Sequence, residues 1–421
     1  MEVIGNCLGP PRLRRIQRTL RNFKLTILCL FLTVVVLRGT IGAGKFVSSE
    51  WDFIHFRDRF PFRNRLLVEH QTTSSSGGTD KPYRLGPPIS DWDERRRKWL
   101  ENSRGFRHFT RPGKPRVLLV TGSSPEQCEN PIGDHYLLKS IKNKIDYCRL
   151  HGIEIFYNLA VLDAEMTGFW GKLPLIRTLL LSHPEVEFIW WMDSDAMFTD
   201  MSFEIPWERY RDFNFVMHGW KEMVYDQRSW VGLNTGSFLM RNCQWSIDIL
   251  DAWASMGPRG KIREEAGEVL TKELKDRPVF EADDQSAMVY LLATHRESWG
   301  SKIYLENSYN LHGYWEVLVD KLEEKSGGNR PLVTHFTGCK PCGKAGDYPV
   351  ERCLKAMERA FNFGDNQILQ MYGFIHKSLM SRRIERIRRV SENEVGSIQP
   401  VLSPAVEVEP PSSKGILSLI R

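Results

Sequence analysis

Short apolar runs alternate with amphipathic segments through the middle of the chain. Residues 116–122 (RVLLVTG), 153–158 (IEIFYN) and 186–193 (VEFIWWMD) have the length and flanking residues of buried strands. The segments between them, 133–152 and 172–184, are predicted as amphipathic helices. A strand–helix–strand–helix–strand order predicts a parallel sheet, and therefore a fold of the α/β class.

The same pattern continues toward the C-terminus. Residues 214–220 (NFVMHGW) are predicted as a strand, and residues 232–242 (GLNTGSFLMRN) as a turn followed by a strand. Residues 246–257 and 283–295 are predicted as helices, the second with acids at its N-terminus, where the helix dipole favours them. Residues 331–344 (PLVTHFTGCKPCGK) are predicted as a strand that leads into a loop rich in glycine and cysteine. No internal repeat is visible.

For two of the helices the sequence also predicts which residues form the N-terminal cap or the packing face. A short helix is expected within 89–100, with an N-terminal cap formed by one of two pairs, Ser90 with Asp93 or Asp91 with Glu94. The helix over 133–152 is expected to pack through an apolar face made of Leu137, Ile141, Ile145 and Cys148.

Charge is distributed unevenly between the body of the chain and its ends. The formal net charge of +6 includes +5 within residues 1–24 and +4 within residues 382–389, which leaves about −3 for the body. A nucleic-acid-binding domain carries its positive charge on the folded body, so no nucleic acid partner is expected. A length of 421 residues, with 41% hydrophobic and 26% charged residues, fits one large globular domain or two ordinary ones with appendages.

The first basic cluster is followed by an uncharged apolar run, residues 25–37 (LTILCLFLTVVVL). Extending the run to residue 43 reaches the length of a membrane span and includes Arg38, which can snorkel to the interface. We therefore predict a signal anchor over 25–43. The alternative is a cleaved signal peptide, although no convincing small-residue cleavage site follows. The positive-inside rule then keeps 1–24 in the cytosol and places the body in the lumen. The short span favours the endoplasmic reticulum or Golgi.

Composition divides the rest of the chain into three parts. Residues 44–85 are predicted as a flexible lumenal stem because 71–82 (QTTSSSGGTDKP) has the composition of a linker. Residues 86–380 are predicted as one catalytic domain, and 381–421 as a tail that is first basic, then Pro-rich and disordered. Six of the eight cysteines fall in the predicted lumenal part, where disulfides form, but their pairing cannot be derived from the sequence.

Asp193 and Asp195 end the third predicted strand (FIWWMDSDAMFTDM). Ligands of parallel α/β sheets bind at the carboxyl ends of the strands, and Gly122 ends the first predicted strand. Two carboxylates separated by one residue can bind one hard cation such as magnesium, manganese or calcium. Such a cation can neutralise the charge of a departing diphosphate. The alternative is a capped turn with two solvated acids.

His335 lies at another predicted strand end. One imidazole beside two carboxylates favours manganese over magnesium or calcium, and Lys340, on the loop that follows, could bind phosphate oxygens. The alternative for His335 is a hydrogen-bonded core histidine. A zinc site made of His335, Cys339, Cys342 and Cys353, or a redox role for Cys339 and Cys342, is also conceivable.

Further polar residues occur close to other predicted element ends. The segment EADDQSAM places three residues at a helix start, where they could cap the helix or face a sugar: Asp283, Asp284 and Gln285. Asn234 could hold a hydroxyl group. The segment NLHGYW, with His312 and Trp315, offers an aromatic surface of the kind on which sugars stack, although aromatic clusters more often belong to the core.

Together these segments resemble the plant xyloglucan 6-xylosyltransferases. The resemblance rests on WWMDSDAMFTDM, VMHGW, GLNTGSFLMRN, FEADDQSAMVYLLAT, LHGYW, THFTGCKPCGK and AFNFGDNQILQMYGF, and it extends to the N-terminal TILCLFLTVVVLRGTIGAGKF. It covers nearly the whole chain except the stem and the C-terminal tail. The related galactomannan galactosyltransferases share the D-x-D segment and the TGC-x-PC loop but are less similar elsewhere.

The resemblance implies a type II Golgi membrane enzyme with a GT-A fold, UDP-xylose as donor, Mn²⁺ as cofactor and the β-1,4-glucan backbone of xyloglucan as acceptor. It implies a metal site made of Asp193, Asp195 and His335. It implies that Lys340 and Gly338 contact the diphosphate, and that five residues surround the xylose and the acceptor hydroxyl: Asn234, Asp283, Asp284, Gln285 and His312. Gly122, at a strand end, and Ser194, between the two aspartates, are further substrate-binding candidates. A homodimer or a complex with related glycosyltransferases is a further expectation from this resemblance.

No residue of the sequence identifies itself as a nucleophile for a retaining transfer. We therefore expect an oxocarbenium-like, same-face transfer in which the leaving phosphate takes the acceptor proton. Three other functions remain open from the sequence: a galactomannan α-1,6-galactosyltransferase using UDP-galactose, a non-catalytic scaffold of a Golgi polysaccharide synthase complex, and a lumenal lectin.

Overall fold

The computed structural model describes residues 83–103, 105, 109–111, 113–323, 330–343 and 346–387. The predicted cytosolic tail, the signal anchor, the stem up to residue 82 and the segment 388–421 lie outside these residues. Within the described part of the chain, no helix combines the length and the apolar character that crossing a bilayer requires.

Helices and strands alternate along the chain, with short 3₁₀ turns and one π turn between some of them. The helices are α1 (Trp92–Asn102), α2 (Pro131–His151), α3 (Lys172–Ser182), α4 (Gln244–Ala254), α5 (Lys261–Glu273), α6 (Asp284–Thr294), α7 (Arg296–Trp299), α8 (Trp315–Leu318) and α9 (Val350–Met371). The strands are β1 (Phe109–Arg111), β2 (Lys114–Pro115), β3 (Val117–Gly122), β4 (Glu154–Asn158), β5 (Phe188–Met192), β6 (Ala196–Phe198), β7 (Phe215–Gly219), β8 (Leu233–Arg241), β9 (Ile303–Glu306), β10 (Val333–His335), β11 (Phe374–His376) and β12 (Ile384–Arg386).

Six of the strands form a mixed sheet in the order β4-β3-β5-β8-β7-β9. β3 is parallel to β4 and β5, and β7 is parallel to β9, whereas β8 runs antiparallel to both of its neighbours. The sheet is therefore mostly parallel, as predicted, with one reversed strand. Of the segment 232–242, predicted as a turn followed by a strand, nearly all belongs to β8, which begins at Leu233. A register irregularity between Met217 and His218 accommodates it opposite β7.

Side chains of the sheet alternate between two apolar layers, because successive residues of a strand point to opposite faces. Ile189 and Trp191 pack with residues of α3, α4 and α6 in one layer. Phe188 and Trp190 pack in the other, together with Tyr147 of α2. Helices α2 and α3 therefore cover opposite faces of the sheet.

Helix α2 has clear end signals but a different buried face from the one predicted. Asn130 caps its start by accepting a hydrogen bond from the Ile132 amide (3.1 Å), and Gly152 ends it with a φ of 63°. Of the predicted apolar face, only Cys148 is fully buried. The buried side chains are instead mainly aromatic and polar: Tyr136, Ser140, Asn143, Lys144, Tyr147, Cys148 and His151. The prediction of this face was wrong because these polar residues satisfy backbone groups that the sequence pattern does not reveal.

The cap predicted for α1 is also absent. The helix starts after Asp91, as expected, but the Asp91 side chain makes no capping hydrogen bond. It pairs with Arg95 (2.8 Å) instead, and an Asp93 oxygen accepts from the Gln244 amide (2.8 Å). The start of α1 is thus held by tertiary contacts.

Outside the central sheet, α9 lies against α2 with cross-helix ion pairs. Lys139 contacts Glu358 and Lys142 contacts Asp365, both at 2.6 Å. α9 is followed by a hairpin in which β11 pairs antiparallel with β12. Because β12 (Ile384–Arg386) falls within the segment predicted as a tail, ordered structure extends beyond residue 380.

Candidate functional site

The acidic pair lies in the turn between β5 and β6, at the carboxyl end of β5. The amide of Asp193 donates to the Gly236 carbonyl (2.8 Å), and the Ala196 amide donates to the Asp193 carbonyl (3.1 Å). Asp193, Asp195 and His335 offer ligand atoms that all lie within 4.8 Å of one another. The structure therefore brings together the three residues predicted to bind a metal.

Strand pairing places His335 at this turn. β10 runs antiparallel to β6, with His335 opposite Ala196, and the Phe336 amide donates to the Asp195 carbonyl (3.1 Å). Nε2 of His335 lies 3.1 Å from an Asp195 oxygen and 3.7 Å from an Asp193 oxygen. A Cβ atom on Gly236 would lie 2.5 Å from Nδ1 of His335, so the imidazole requires glycine there.

Electrostatics couples these three side chains. Burial acts to lower the pKa of His335, but Asp195 and Asp193 outweigh burial and raise it. Burial likewise acts to raise the pKa of Asp195, and His335 reverses that effect and lowers it. The indole of Trp191 donates to Asp193 (2.6 Å). Two carboxylates and one imidazole form a donor set that fits a divalent cation such as Mn²⁺.

A buried lysine that the sequence analysis did not single out links this triad to a third carboxylate. Lys172, the first residue of α3, lies 2.8 Å from Asp284 and 3.5 Å from Asp193, and it donates to the Thr235 carbonyl (3.0 Å). The Thr235 hydroxyl also donates to Asp284 (2.6 Å). Burial opposes the charge of Lys172, but Asp193 and Asp284 outweigh burial and raise its pKa. A lysine at the start of a mostly apolar helix (KLPLIRTLLL) was the available signal.

Asn234 and Gln285 form a hydrogen-bonded amide pair beside the triad. Nδ2 of Asn234 donates to Gln285 (2.7 Å), while its Oδ1 accepts from the Gly236 amide (2.7 Å). Nε2 of Gln285 donates to the Trp230 carbonyl (3.0 Å). Both amides are therefore fixed in orientation, as a substrate-binding pair requires.

Asp283 has a different role from its neighbour Asp284. One of its oxygens accepts from the Ser286 amide (2.9 Å) and so caps α6, and the other pairs with Arg277 (3.0 Å). The capping alternative considered for the acidic segment thus applies to Asp283. Asp284 is the member of the pair that connects to Asp193, through Lys172.

His312 lies next to the triad, but the aromatic surface expected beside it is buried. The rings of His312 and His335 are 4.8 Å apart, and burial, with His335 and His218 nearby, holds the pKa of His312 well below its usual range. Trp315 is buried and stacks on Phe336, so this segment does not present Trp315 as a sugar-stacking platform.

The loop after β10 is fastened by two disulfides, Cys128–Cys342 and Cys339–Cys353. Cys339 and Cys342 therefore have different partners, and this pairing fits neither the zinc site nor the Cys339–Cys342 redox pair. Both Gly338 (φ 82°) and Lys340 (φ 45°) have left-handed backbone conformations. The Lys340 ammonium is exposed, 3.9 Å from Asp347.

The two remaining predicted residues lie at the strand ends. Val120 pairs with Trp191 in the register of β3 and β5, which places Gly122 level with Asp193. A Cβ atom on Gly122 would lie 2.7 Å from the Asn158 carbonyl oxygen. Ser194 lies between the two aspartates, and its carbonyl accepts a hydrogen bond from Ser140 (2.5 Å).

Comparison with known proteins extends this description. Residues 113–346 match the family model described as the galactosyl transferase GMA12/MNN10 family. Two relatives from Arabidopsis thaliana, xyloglucan 6-xylosyltransferase 1 and xyloglucan 6-xylosyltransferase 2, are both 63% identical to the chain. The alignment with the first covers 94% of this chain and 97% of the relative. The alignment with the second covers 97% of this chain and 99% of the relative. A probable xyloglucan 6-xylosyltransferase 1 of Oryza sativa subsp. indica is 62% identical over 95% of this chain and 98% of its own length.

Solved structures of glycosyltransferases are similar at a greater distance. A glycosyltransferase involved in the glycosylation of the major capsid of PBCV-1 matches with a TM-score of 0.39 and 15% identity over 57% of this chain and 99% of that one. The galactosyltransferase LgtC matches with a TM-score of 0.29 and 12% identity over 57% of this chain and 95% of that one. The family assignment depends on the sequence matches, which span most of the chain: the protein belongs to the galactosyl transferase GMA12/MNN10 family and is a glycosyltransferase.

Proposed function

We propose that this glycosyltransferase transfers xylose from UDP-α-D-xylose to O6 of glucosyl residues in the β-1,4-glucan backbone of xyloglucan, with retention of the α configuration. The observation that carries the proposal is the identity of 62–63%, over at least 94% of the chain, to relatives named xyloglucan 6-xylosyltransferases. The proposal is supported by the cluster of Asp193, Asp195 and His335 at the β5–β6 turn and by the contact of Lys172 with both Asp193 and Asp284. The fold then corresponds to the GT-A type.

Asp193, Asp195 and His335 would hold Mn²⁺. When bound there, a divalent cation supplies charge neutralisation for a departing diphosphate. Lys340 and Gly338 lie on the loop that follows His335, and the exposed ammonium of Lys340 would leave its loose pairing with Asp347 to bind phosphate oxygens. The mixed carboxylate and imidazole donor set favours manganese over magnesium or calcium.

The residues around the reacting sugar favour a same-face transfer. Asp284 is buried and its Oδ2 is contacted by both Lys172 and Thr235, and these contacts reduce the nucleophilicity of the carboxylate. We assign Asp284 and the Asn234–Gln285 amide pair to orienting the sugar and to stabilising its developing positive charge. The leaving phosphate would then take the proton of the acceptor hydroxyl.

We also propose that the chain is a single-pass type II protein of the Golgi membrane with its catalytic domain in the lumen. Two disulfides support an oxidising compartment. A homodimer or a complex with related glycosyltransferases is part of the same proposal.

The test is a transfer assay with the purified full-length chain and Mn²⁺. Cellohexaose is incubated with UDP-xylose or with UDP-galactose, and the products are weighed by mass spectrometry. A pentose increment that chelation abolishes is expected with UDP-xylose alone. A hexose increment would favour the galactosyltransferase alternative. No increment from a folded chain that binds UDP would favour the scaffold.

Removing one carboxylate of the triad tests the metal assignment. Asp195→Asn should lower xylosyl transfer by about 100-fold or more, because metal affinity depends on every ligand. Glu265→Gln, on the exposed face of α5, is the matched control and should leave transfer unchanged. Near-full activity of Asp195→Asn would contradict the assignment.

A further inference from the structure

Two buried polar side chains of helix α2 donate hydrogen bonds to the β5–β6 turn. Ser140 and Lys144, one helical turn apart, are both fully buried. The Ser140 hydroxyl donates to the Ser194 carbonyl (2.5 Å) and lies 3.1 Å from the Ala196 carbonyl. The Lys144 amino group donates to the Ala196 carbonyl and to the Ser140 hydroxyl, both at 2.6 Å, and lies 3.4 Å from the Ser194 carbonyl.

These two carbonyls belong to the residues on either side of Asp195. Fixing both of them restricts the backbone of Asp195 and therefore the direction of its carboxylate. Ala196 is also the residue of β6 that lies opposite His335 in β10. The contact from α2 thus acts on a segment that positions two members of the triad.

Packing alone does not require polar side chains at these positions. Burying an amino group costs several kcal/mol unless it is hydrogen-bonded, and an apolar side chain of similar volume would fill the same space. The hydrogen bonds to the turn therefore give Lys144 a role that an apolar residue could not take. Neither Lys144 nor Ser140 contributes a ligand atom to the triad.

We propose that Lys144 and Ser140 are positioning residues that hold the Asp193–Asp195 turn in the geometry that binds the cation. This inference rests on the proposed function, in which the triad binds Mn²⁺. The two residues act through the backbone and contact neither donor nor acceptor.

A neighbouring residue provides the matched control. Asn143, on the same buried face of α2, accepts from the Phe198 amide (2.7 Å) and donates to the Phe198 carbonyl (2.9 Å). It therefore holds the same segment by the same kind of contact, but three residues beyond Asp195. Loss of Asn143 should lower stability without changing the geometry of the turn at Asp195.

The experiment measures Mn²⁺ affinity of the purified full-length chain by electron paramagnetic resonance of the free ion, alongside thermal unfolding. Lys144→Met should weaken Mn²⁺ binding by about 10–100-fold, the range that supporting residues of metal sites show. Asn143→Ala should lower the melting temperature and leave Mn²⁺ affinity within about twofold of the wild type.

Ser140→Ala removes one donor and leaves the lysine in place, so it decides the question if Lys144→Met fails to fold. It should weaken Mn²⁺ binding several-fold. Unchanged or tighter binding in a folded Lys144→Met chain, or equal weakening in Asn143→Ala, would overturn the positioning role while leaving the metal assignment intact. A wild-type chain that binds no Mn²⁺ would overturn both.

Discussion

Two buried lysines reach the same turn from opposite faces of the sheet, yet their environments act on them in opposite directions. Lys172 has two carboxylate neighbours, Asp284 and Asp193, which overcome burial and raise its pKa. Lys144 is held by a hydroxyl and backbone carbonyls, and burial lowers its pKa to about 7 although Asp195 and Asp193 oppose the shift. The direction in which the pKa of a buried basic group shifts therefore depends on its interaction partners and cannot be inferred from burial alone.

The largest loss of stability is expected for Lys172, because the comparison predicts that it forms a buried ion pair with Asp284. Lys172→Met leaves Asp284 buried without its cation, which should lower the free energy of unfolding by about 3–5 kcal/mol. Xylosyl transfer should fall by about 10–100-fold because Asp193 loses support. Urea unfolding and the cellohexaose assay measure the two effects.

The double variant Lys172→Met/Asp284→Asn is its control. Removing both charges should recover much of the stability but not the activity. A loss below about 1 kcal/mol in the single variant would show that Lys172 and Asp284 do not form a buried ion pair, and the contrast with Lys144 would no longer hold.

A buried histidine tests the second case in this comparison, in which burial lowers the pKa of a basic group. Burial lowers the pKa of His218 to about 4, with Glu306 acting weakly against it. Above pH 6.5 the imidazole is neutral in both the folded and the unfolded chain, so its full contribution to stability is present. As the pH falls toward 4, His218 binds a proton in the unfolded chain but not in the folded chain. Stability should therefore drop by up to roughly 3 kcal/mol.

The measurement compares urea unfolding of the wild type and His218→Gln between pH 7.5 and pH 4.5. The difference in unfolding free energy between the two should shrink as the pH falls. A difference that stays constant over this interval would mean that His218 titrates normally in the folded chain.

The smallest effect is expected for a lysine on the outer side of α2. Lys142 is half exposed and pairs with Asp365 (2.6 Å) and Asp146 (2.7 Å). Lys142→Met should cost less than about 1 kcal/mol, because solvent screens the pairs and His376 still contacts Asp365 (2.8 Å). Mn²⁺ affinity should not change. A loss of Mn²⁺ affinity equal to that of Lys144→Met would point to a general charge effect of α2.

Apolar patterns and strand-end positions were sufficient to predict part of this molecule. The three strands that begin the sheet, the helices between them and the placement of Asp193 and Asp195 at a carboxyl end are confirmed. His335 joins them as expected because β10 pairs with β6. These features follow from periodicity and from where parallel sheets place their ligands.

The buried polar contacts could not be predicted in this way. Ser140 and Lys144 satisfy carbonyls about 50 residues away in the sequence, and no local pattern shows which backbone groups will need donors. Asp283 and Asp284 are adjacent in the sequence but differ in role, since tertiary contacts with Arg277 and Lys172 separate them. The reversed direction of β8 also depends on long-range pairing.

The bond between Cys128 and Cys342 closes a covalent ring of the chain that contains the whole acidic turn, His335 and five of the six strands of the central sheet, all except β3. With a sequence separation of 214 between the two cysteines, such a ring restricts the unfolded chain enough to stabilise the fold by roughly 5 kcal/mol in the chain-entropy model. A chain made in a reducing cytosol would lack this bond, and the loop after β10 would then have no covalent link to the segment that precedes α2. The redox state of the compartment in which the chain is made therefore decides whether this covalent ring can form.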